Sequence, residues 1–231
     1  MSKEKNLKGD KNIGAVEEVL SKSEHFIEKN QKTIMYVIGA IILVVGGYMA
    51  YNKFYMGPKE KAAQSEIFWA ENYFGKDSVK LALNGDGTHS GFLDIIDSYG
   101  MTKSGNLAKY YAGLCYLKLG QFEEAIDNLK KFDSDDQLVN AMALGAIGDS
   151  YMELNDTDNA LKYYLKAANN GDNAFTSPLF LMKAGSTYEL SGNYTEAVKL
   201  YERIQKEYHK SYESREIEKY IARAKGLMGE K

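Results

Sequence analysis

The sequence predicts an all-α protein: one N-terminal transmembrane helix, then a helical-hairpin solenoid closed by a C-terminal capping helix. Three observations carry this. Residues 33–52 (TIMYVIGAIILVVGGYMAYN) contain no Asp, Glu, Lys, Arg or His. Only 2 prolines interrupt 231 residues, and proline is the residue that most strongly breaks helices. Three segments of the C-terminal half align on glycine, tyrosine and alanine at one register.

The elements follow in chain order. Residues 1–32 form a charged tail with seven lysines and six acids. Within it Ile13, Val16, Leu20 and Ile27 recur at helical spacing, so it carries a short amphipathic helix, lying at a membrane surface or docking a partner. The uncharged run is next. Twenty helical residues reach roughly 30 Å, the thickness of a bilayer's hydrocarbon layer. No polar stripe marks it, and Tyr36 at one end with Tyr48, Tyr51 and Tyr55 at the other suit the two interfaces. A cleaved signal peptide fits poorly, because the preceding segment is long and no small-x-small site follows. The membrane segment is therefore placed at 33–55. Three lysines flank it closely on each side, and the whole tail tips the balance toward a cytoplasmic N-terminus, with the large domain across the membrane. Gly39, Gly46 and Ala50 share nearly one face of the span, a pattern of small residues that lets a second membrane helix approach closely.

Gly57-Pro58 predicts a break, because proline disfavours helix for its predecessor and suits a first helical turn. Residues 58–105 then read as a helical lead-in with a polar loop. Its first helix buries Ile67, Phe68, Ala70 and Phe74; NGDGTHSG (84–91) is the loop, and GFLDIIDSYG (91–100) a short helix. The loop lacks the acidic spacing and the closing glutamate of a calcium loop.

Residues 106–231 hold three repeats and the cap. LAKYYAGLCYLKLGQFEEAIDNLKKF, MALGAIGDSYMELNDTDNALKYYLKA and LFLMKAGSTYELSGNYTEAVKLYERI align without gaps. Gly113, Gly148 and Gly185 correspond, as do Tyr116, Tyr151 and Tyr188, and Ala125, Ala160 and Ala197, at spacings of 35 and 37 residues. That is the period of the tetratricopeptide repeat (TPR), a helix-turn-helix of about 34 residues. Glycine inside a helix costs about 1 kcal/mol against alanine, so three at one register require close helix packing. Gly120, Asn155 and Gly192 end the first helices, types that tolerate the left-handed C-cap. Leu129, Tyr164 and Tyr201 take the large apolar place in the second helices. The proline that often closes such a repeat is replaced by Gln137, Asp172 and His209. SYESREIEKYIARAKGLM (211–228) reads as a polar-backed helix over the last repeat.

No residue set supports catalysis, metal binding or a cofactor. His25, His89 and His209 share no ligand spacing, Cys115 sits in an apolar helix stretch as a buried thiol, and no Walker, G-x-S-x-G or G-x-G-x-x-G motif occurs. Asn155-Asp-Thr157 and Asn193-Tyr-Thr195 match the glycosylation pattern but fall in the turn inside a repeat. Outside the tail, 26 acids oppose 22 bases, which excludes a nucleic-acid face. What remains is a protein-binding surface. The first helices of stacked repeats build the inner wall, here Tyr110, Leu114, Leu117 and Lys118, then Asp149, Met152 and Glu153, then Met182, Ser186 and Glu189. Apolar, aromatic and Met side chains with sparse charge suit unfolded or extended polypeptide of loose sequence specificity, unless neighbouring helices fill the groove.

An amphipathic tail ending in Phe26-Ile-Glu-Lys-Asn-Gln-Lys32, one span, an Ala/Gln/Ser-containing helix and degenerate TPRs resemble the YfgM-like family. Those are single-span proteins of the bacterial inner (cytoplasmic) membrane whose repeats face the periplasm. The resemblance implies an ancillary subunit of the SecYEG translocon that works beside a PpiD-like periplasmic chaperone. It implies no catalytic residues, and residues 75–105 depart from it. Two other classes fit an anchored TPR protein: a scaffold for envelope assembly or signalling, and an import-receptor-like protein facing the cytosol.

Overall fold

A computed structural model describes the backbone of residues 3–229, with side chains described from residue 24 onward. Every regular element in it is helical. The chain divides into two compact units, Met1–Pro58 and Lys59–Lys231.

The first unit is built on helix α1 (Lys3–Tyr51). Among the described residues one helix is long and apolar enough to cross a membrane, and the uncharged run lies in it. No residue from Ile34 to Tyr51 is buried. Ile13, Val16 and Leu20 of the expected stripe lie outside the residues with described side chains. A β-carbon added at Gly39 or Gly46 meets nothing within 4 Å, so that face is open within this chain. The expected break at Gly57-Pro58 does not form. The backbone stays helical through a single π-helical turn (Asn52–Met56), and Gly57 (φ −59°, ψ −51°) donates its N–H to the Asn52 carbonyl. The physical reason is the proline. A regular turn would drive the Pro58 ring into the carbonyl four residues back and leave that carbonyl unbonded. Widening the turn just before it accommodates the ring.

The second unit opens with α2 (Gly57–Gly75), counted from Lys59, and α3 (Val79–Asn84), α4 (Phe92–Tyr99) and α5 (Lys103–Lys118). Ala63, Ile67 and Ala70 of α2 are buried, and the last two pack with Leu83, Phe92, Ile95, Ala108, Ala112 and Cys115. Phe74, Phe92 and Tyr111 form an aromatic cluster across α2, α4 and α5. The stretch read as a lead-in thus packs directly on the first repeat helix. One expected core residue is misplaced: Phe68 is 57% exposed, because on this register Ala63, Ile67 and Ala70 hold the buried face. Beside it the Trp69 and His89 ring centroids lie 4.1 Å apart, the planes tilted by 35°. The loop below is organised by Asp86, which accepts from Tyr73 Oη at 2.6 Å and from the Thr88 and His89 backbone, and contacts His89 Nδ1 at 3.1 Å. The Tyr73 bond foremost, then the others, hold its carboxyl well below the usual range. Glu60 accepts from Ser104 N and Oγ, placing a carboxylate at the α5 N-terminus.

Three hairpins follow: α5 with α6 (Phe122–Lys131), α7 (Gln137–Glu153) with α8 (Thr157–Ala168), and α9 (Thr176–Leu190) with α10 (Tyr194–Glu207). Each turn repeats one construction. Gly120, Asn155 and Gly192 adopt φ of 74°, 60° and 75°. The next residue in each then donates its N–H back to the carbonyl of Tyr116, Tyr151 or Tyr188, at 2.8–2.9 Å. Asp156 and Asn193 cap α8 and α10 with their side chains. Both glycosylation-pattern asparagines are therefore occupied with turn geometry. The three register glycines do what their positions predict. A β-carbon on Gly113 would lie 2.5 Å from Leu129 Cγ, and one on Gly148 2.6 Å from the Tyr164 ring; one on Gly185 would meet the Tyr201 ring. After a 3-10 turn (Glu213–Glu216), α11 (Ile217–Leu227) buries Ile217, Ile221 and Ala224 in the core shared by α8, α9 and α10.

Gly148→Ala is expected to lower the melting midpoint of residues 59–231. The Tyr164 ring must give way, at about 1–3 kcal/mol, which exceeds the roughly 1 kcal/mol gain in helix propensity. Gly226→Ala on α11, whose added carbon meets nothing within 4 Å, should raise the midpoint instead. Circular-dichroism melts of both variants check the pair; a higher midpoint for Gly148→Ala contradicts the packing.

Candidate functional site

Helices α5, α7 and α9 lie side by side and carry the first-helix positions of the repeats. Between them runs an open groove of about 730 Å³. Its walls come from the ends of α5 and α7, from α9 between Met182 and Leu190, from Gly120 in the turn after α5 and from Phe122 at the start of α6. Seven of the ten side chains expected on the inner wall meet here: Leu117, Lys118, Asp149, Met152, Glu153, Met182 and Ser186. Three do not. Tyr110 and Leu114 pack against the core of Ile126, Leu129, Ala143, Ala146 and Ile147, and Tyr110 also lies against Phe132. Glu189 is drawn away by the cap, where Arg223 Nη2 bonds its Oε2 at 2.7 Å. A glutamate at this register makes an ion pair with the closing helix where the earlier repeats place Leu117 and Met152.

Sequence reasoning missed Lys183, Tyr164, Thr187 and Leu190, which also line the groove. Tyr164 comes from the second helix of its repeat, not the first. Its ring packs on Gly148 and its hydroxyl reaches through to donate to Asp149 Oδ1 at 2.6 Å. Lys183 donates to both Asp149 oxygens, at 2.6 and 2.8 Å, and its ammonium lies 5.6 Å from the Tyr164 ring centroid. The signal for this trio was present in the repeat alignment. Asp149 stands where the other repeats have Leu114 and Ser186, and a half-buried acid demands donors. Burial first, and then the bond to Asp149, push the Tyr164 hydroxyl well above the ordinary tyrosine range.

The rest of the groove is apolar. Leu117, Met152 and Met182 are half-buried, Thr187 Oγ1 lies 3.7 Å from the Met152 sulfur, and Leu190 is 75% exposed. Lys118 bridges to Asp77 at 2.6 Å. No group of three or more His, Cys, Asp or Glu side chains able to hold a metal occurs among the described residues. Cys115 is buried, with its thiol pushed up to about 12 chiefly by that burial. These are features of a helical scaffold suited to protein–protein interaction.

Residues 116–175 and 146–211 match the family model described as tetratricopeptide repeat. Proteins built on this repeat are generally non-enzymatic scaffolds. Among solved structures, the chain is similar to the nearly identical TPR-like repeats of a kinesin light chain of Podosopora anserina, at 14% identity and TM-score 0.53, over 72% of this chain and 86% of that one. It is also similar to MamA, at 18% identity and TM-score 0.51, over 75% of this chain and 94% of that one. No curated protein sequence matches the chain. At these identities the structures speak for the fold.

The raised Tyr164 hydroxyl predicts alkaline instability. Unfolded tyrosine ionises near pH 10 whereas the folded group keeps its proton, so above that pH the unfolded chain binds fewer protons. Its contribution is full below about pH 10 and falls as pH rises beyond. In Tyr164→Phe, melts between pH 9 and pH 11 should show a shallower loss than the native protein. An identical pH dependence would place Tyr164 outside a buried hydrogen bond.

Proposed function

With residues 116–211 a tetratricopeptide-repeat segment, we propose that this protein is a membrane-anchored adaptor that holds extended polypeptide. The groove of α5, α7 and α9 is the observation that carries it: an open channel with exposed Leu190, adaptable Met152 and Met182, and an Asp149–Lys183 pair that is already bonded. Such a lining binds chains by apolar contact with little demand on sequence. The uncharged helix supplies the anchor, with the N-terminus cytoplasmic and the repeats across the inner membrane. The family resemblance adds the setting, the SecYEG translocon and a PpiD-like chaperone, with translocated periplasmic polypeptides as clients.

A photo-crosslinking residue at Met152 tests the adaptor reading in cells of the source type or a bacterial host. It should join the protein to chains in transit, whereas the same residue at Lys162, exposed on α8, should not. Equal yields from both positions would sink the groove as the client site. Co-purification of SecYEG with the full chain from mild detergent tests the setting separately, and its failure would leave an adaptor placed elsewhere.

Orientation has its own check. A reporter active only outside the cytoplasm, fused after residue 231, should be active. Activity of a cytoplasmic reporter alone would reverse the topology and turn the protein toward cytosolic clients.

A further inference from the structure

We infer that the groove prefers extended polypeptide whose apolar side chains stand next to a lysine or arginine, a selectivity that deepens the adaptor reading and rests on it. Two independent observations give the groove an uncompensated negative character.

The first is a count of partners. Both cations that line it are engaged. Lys118 is bonded to Asp77 at 2.6 Å and lies 5.1 Å from the Phe74 ring, and Lys183 is bonded to both oxygens of Asp149 and lies over Tyr164. Glu153, in contrast, is exposed and makes no ion pair among the described residues. An incoming carboxylate would have to displace an existing bridge, whereas an incoming ammonium or guanidinium finds Glu153 free.

The second is the direction of the helices. α5, α7 and α9 end at Lys118, Glu153 and Leu190, all on the groove wall. Each helix C-terminus carries the equivalent of about half a negative charge within its last turn. Lys118 stands in the last turn of α5, whereas the last turns of α7 and α9 hold no basic residue, and Glu153 sits on the α7 end. Around it, Leu117, Met152 and Leu190 provide the apolar contact that orders a bound chain. A cation held among them would be attracted both by the Glu153 carboxylate and by the helix ends.

The test uses the full chain in nanodiscs of neutral lipid, with empty nanodiscs as blank. Three fluorescent peptides of equal length are titrated: alternating leucine–lysine, leucine–serine and leucine–glutamate. The lysine peptide should bind about three- to fivefold tighter than the serine peptide, the scale of an exposed ion pair, and the glutamate peptide weakest. The lysine advantage should shrink as salt rises. Glu153→Lys should reverse the ranking of the charged peptides, while Lys162→Glu on the exposed face of α8 should leave it unchanged. Because Glu153 is exposed, the variant's melting midpoint is expected to match the native one. Equal affinities for the three peptides, or a ranking that survives Glu153→Lys, would overturn the charge preference and leave the adaptor reading standing. Binding of none of the three overturns both.

Discussion

The second unit depends on a close approach between the two helices of each repeat, made at one position. Gly113, Gly148 and Gly185 present bare backbone, and the side chains of Leu129, Tyr164 and Tyr201 lie against it where a β-carbon would stand. With that contact fixed, the turn between the helices has to be short. The left-handed residues at 120, 155 and 192 and the return bond to the tyrosine carbonyl supply it. The hairpins then stack in register, and the first helices form a continuous wall. Gly145 adds a related contact between layers, since a β-carbon there would collide with the Phe180 ring of the next first helix.

The same contact reaches the functional surface. Tyr164 is at once the side chain that fills the space over Gly148 and the donor to Asp149 on the groove floor. Packing and site are two ends of one ring. This links the repeat signature to the chemistry of the groove more tightly than a scaffold with an independent binding face would. It also explains why the middle repeat can hold an acid at a wall position. The hydroxyl and the Lys183 ammonium satisfy that acid from two different helices.

What the sequence made legible was whatever repeated. Glycine, tyrosine and left-handed caps at spacings of 35 and 37 residues located the hairpins and their turns, because each carries a local conformational demand that few residues meet. The uncharged run was legible for the same reason, as a pattern without exceptions. Where one copy differed from the others, the reading was weaker. Register alone puts Tyr110 and Leu114 on the wall, yet both pack on the α6–α7 core, and Tyr110 also lies against Phe132. Glu189 was assigned likewise, and the partner that removes it, Arg223, lies outside the repeats. Phe68 looked like core because aromatic residues usually are, but small Ala63 and Ala70 set the buried face of α2. At Gly57-Pro58 propensity predicted a break, and a single wide turn supplied an alternative that dipeptide rules do not contain.

The Trp69–His89 ring contact has an optical consequence. The chain has a single tryptophan, and it stands in the α2–α4 layer, whereas half of the 18 tyrosines lie in the three hairpins. In a solenoid each layer touches only its neighbours, so layers can open at different temperatures. Indole emission therefore reads the first layer by itself, while the far-ultraviolet helix signal sums over all of them. The gap between those two transitions measures, without a label or a substitution, how strongly the α2–α4 layer is coupled to the repeats behind it.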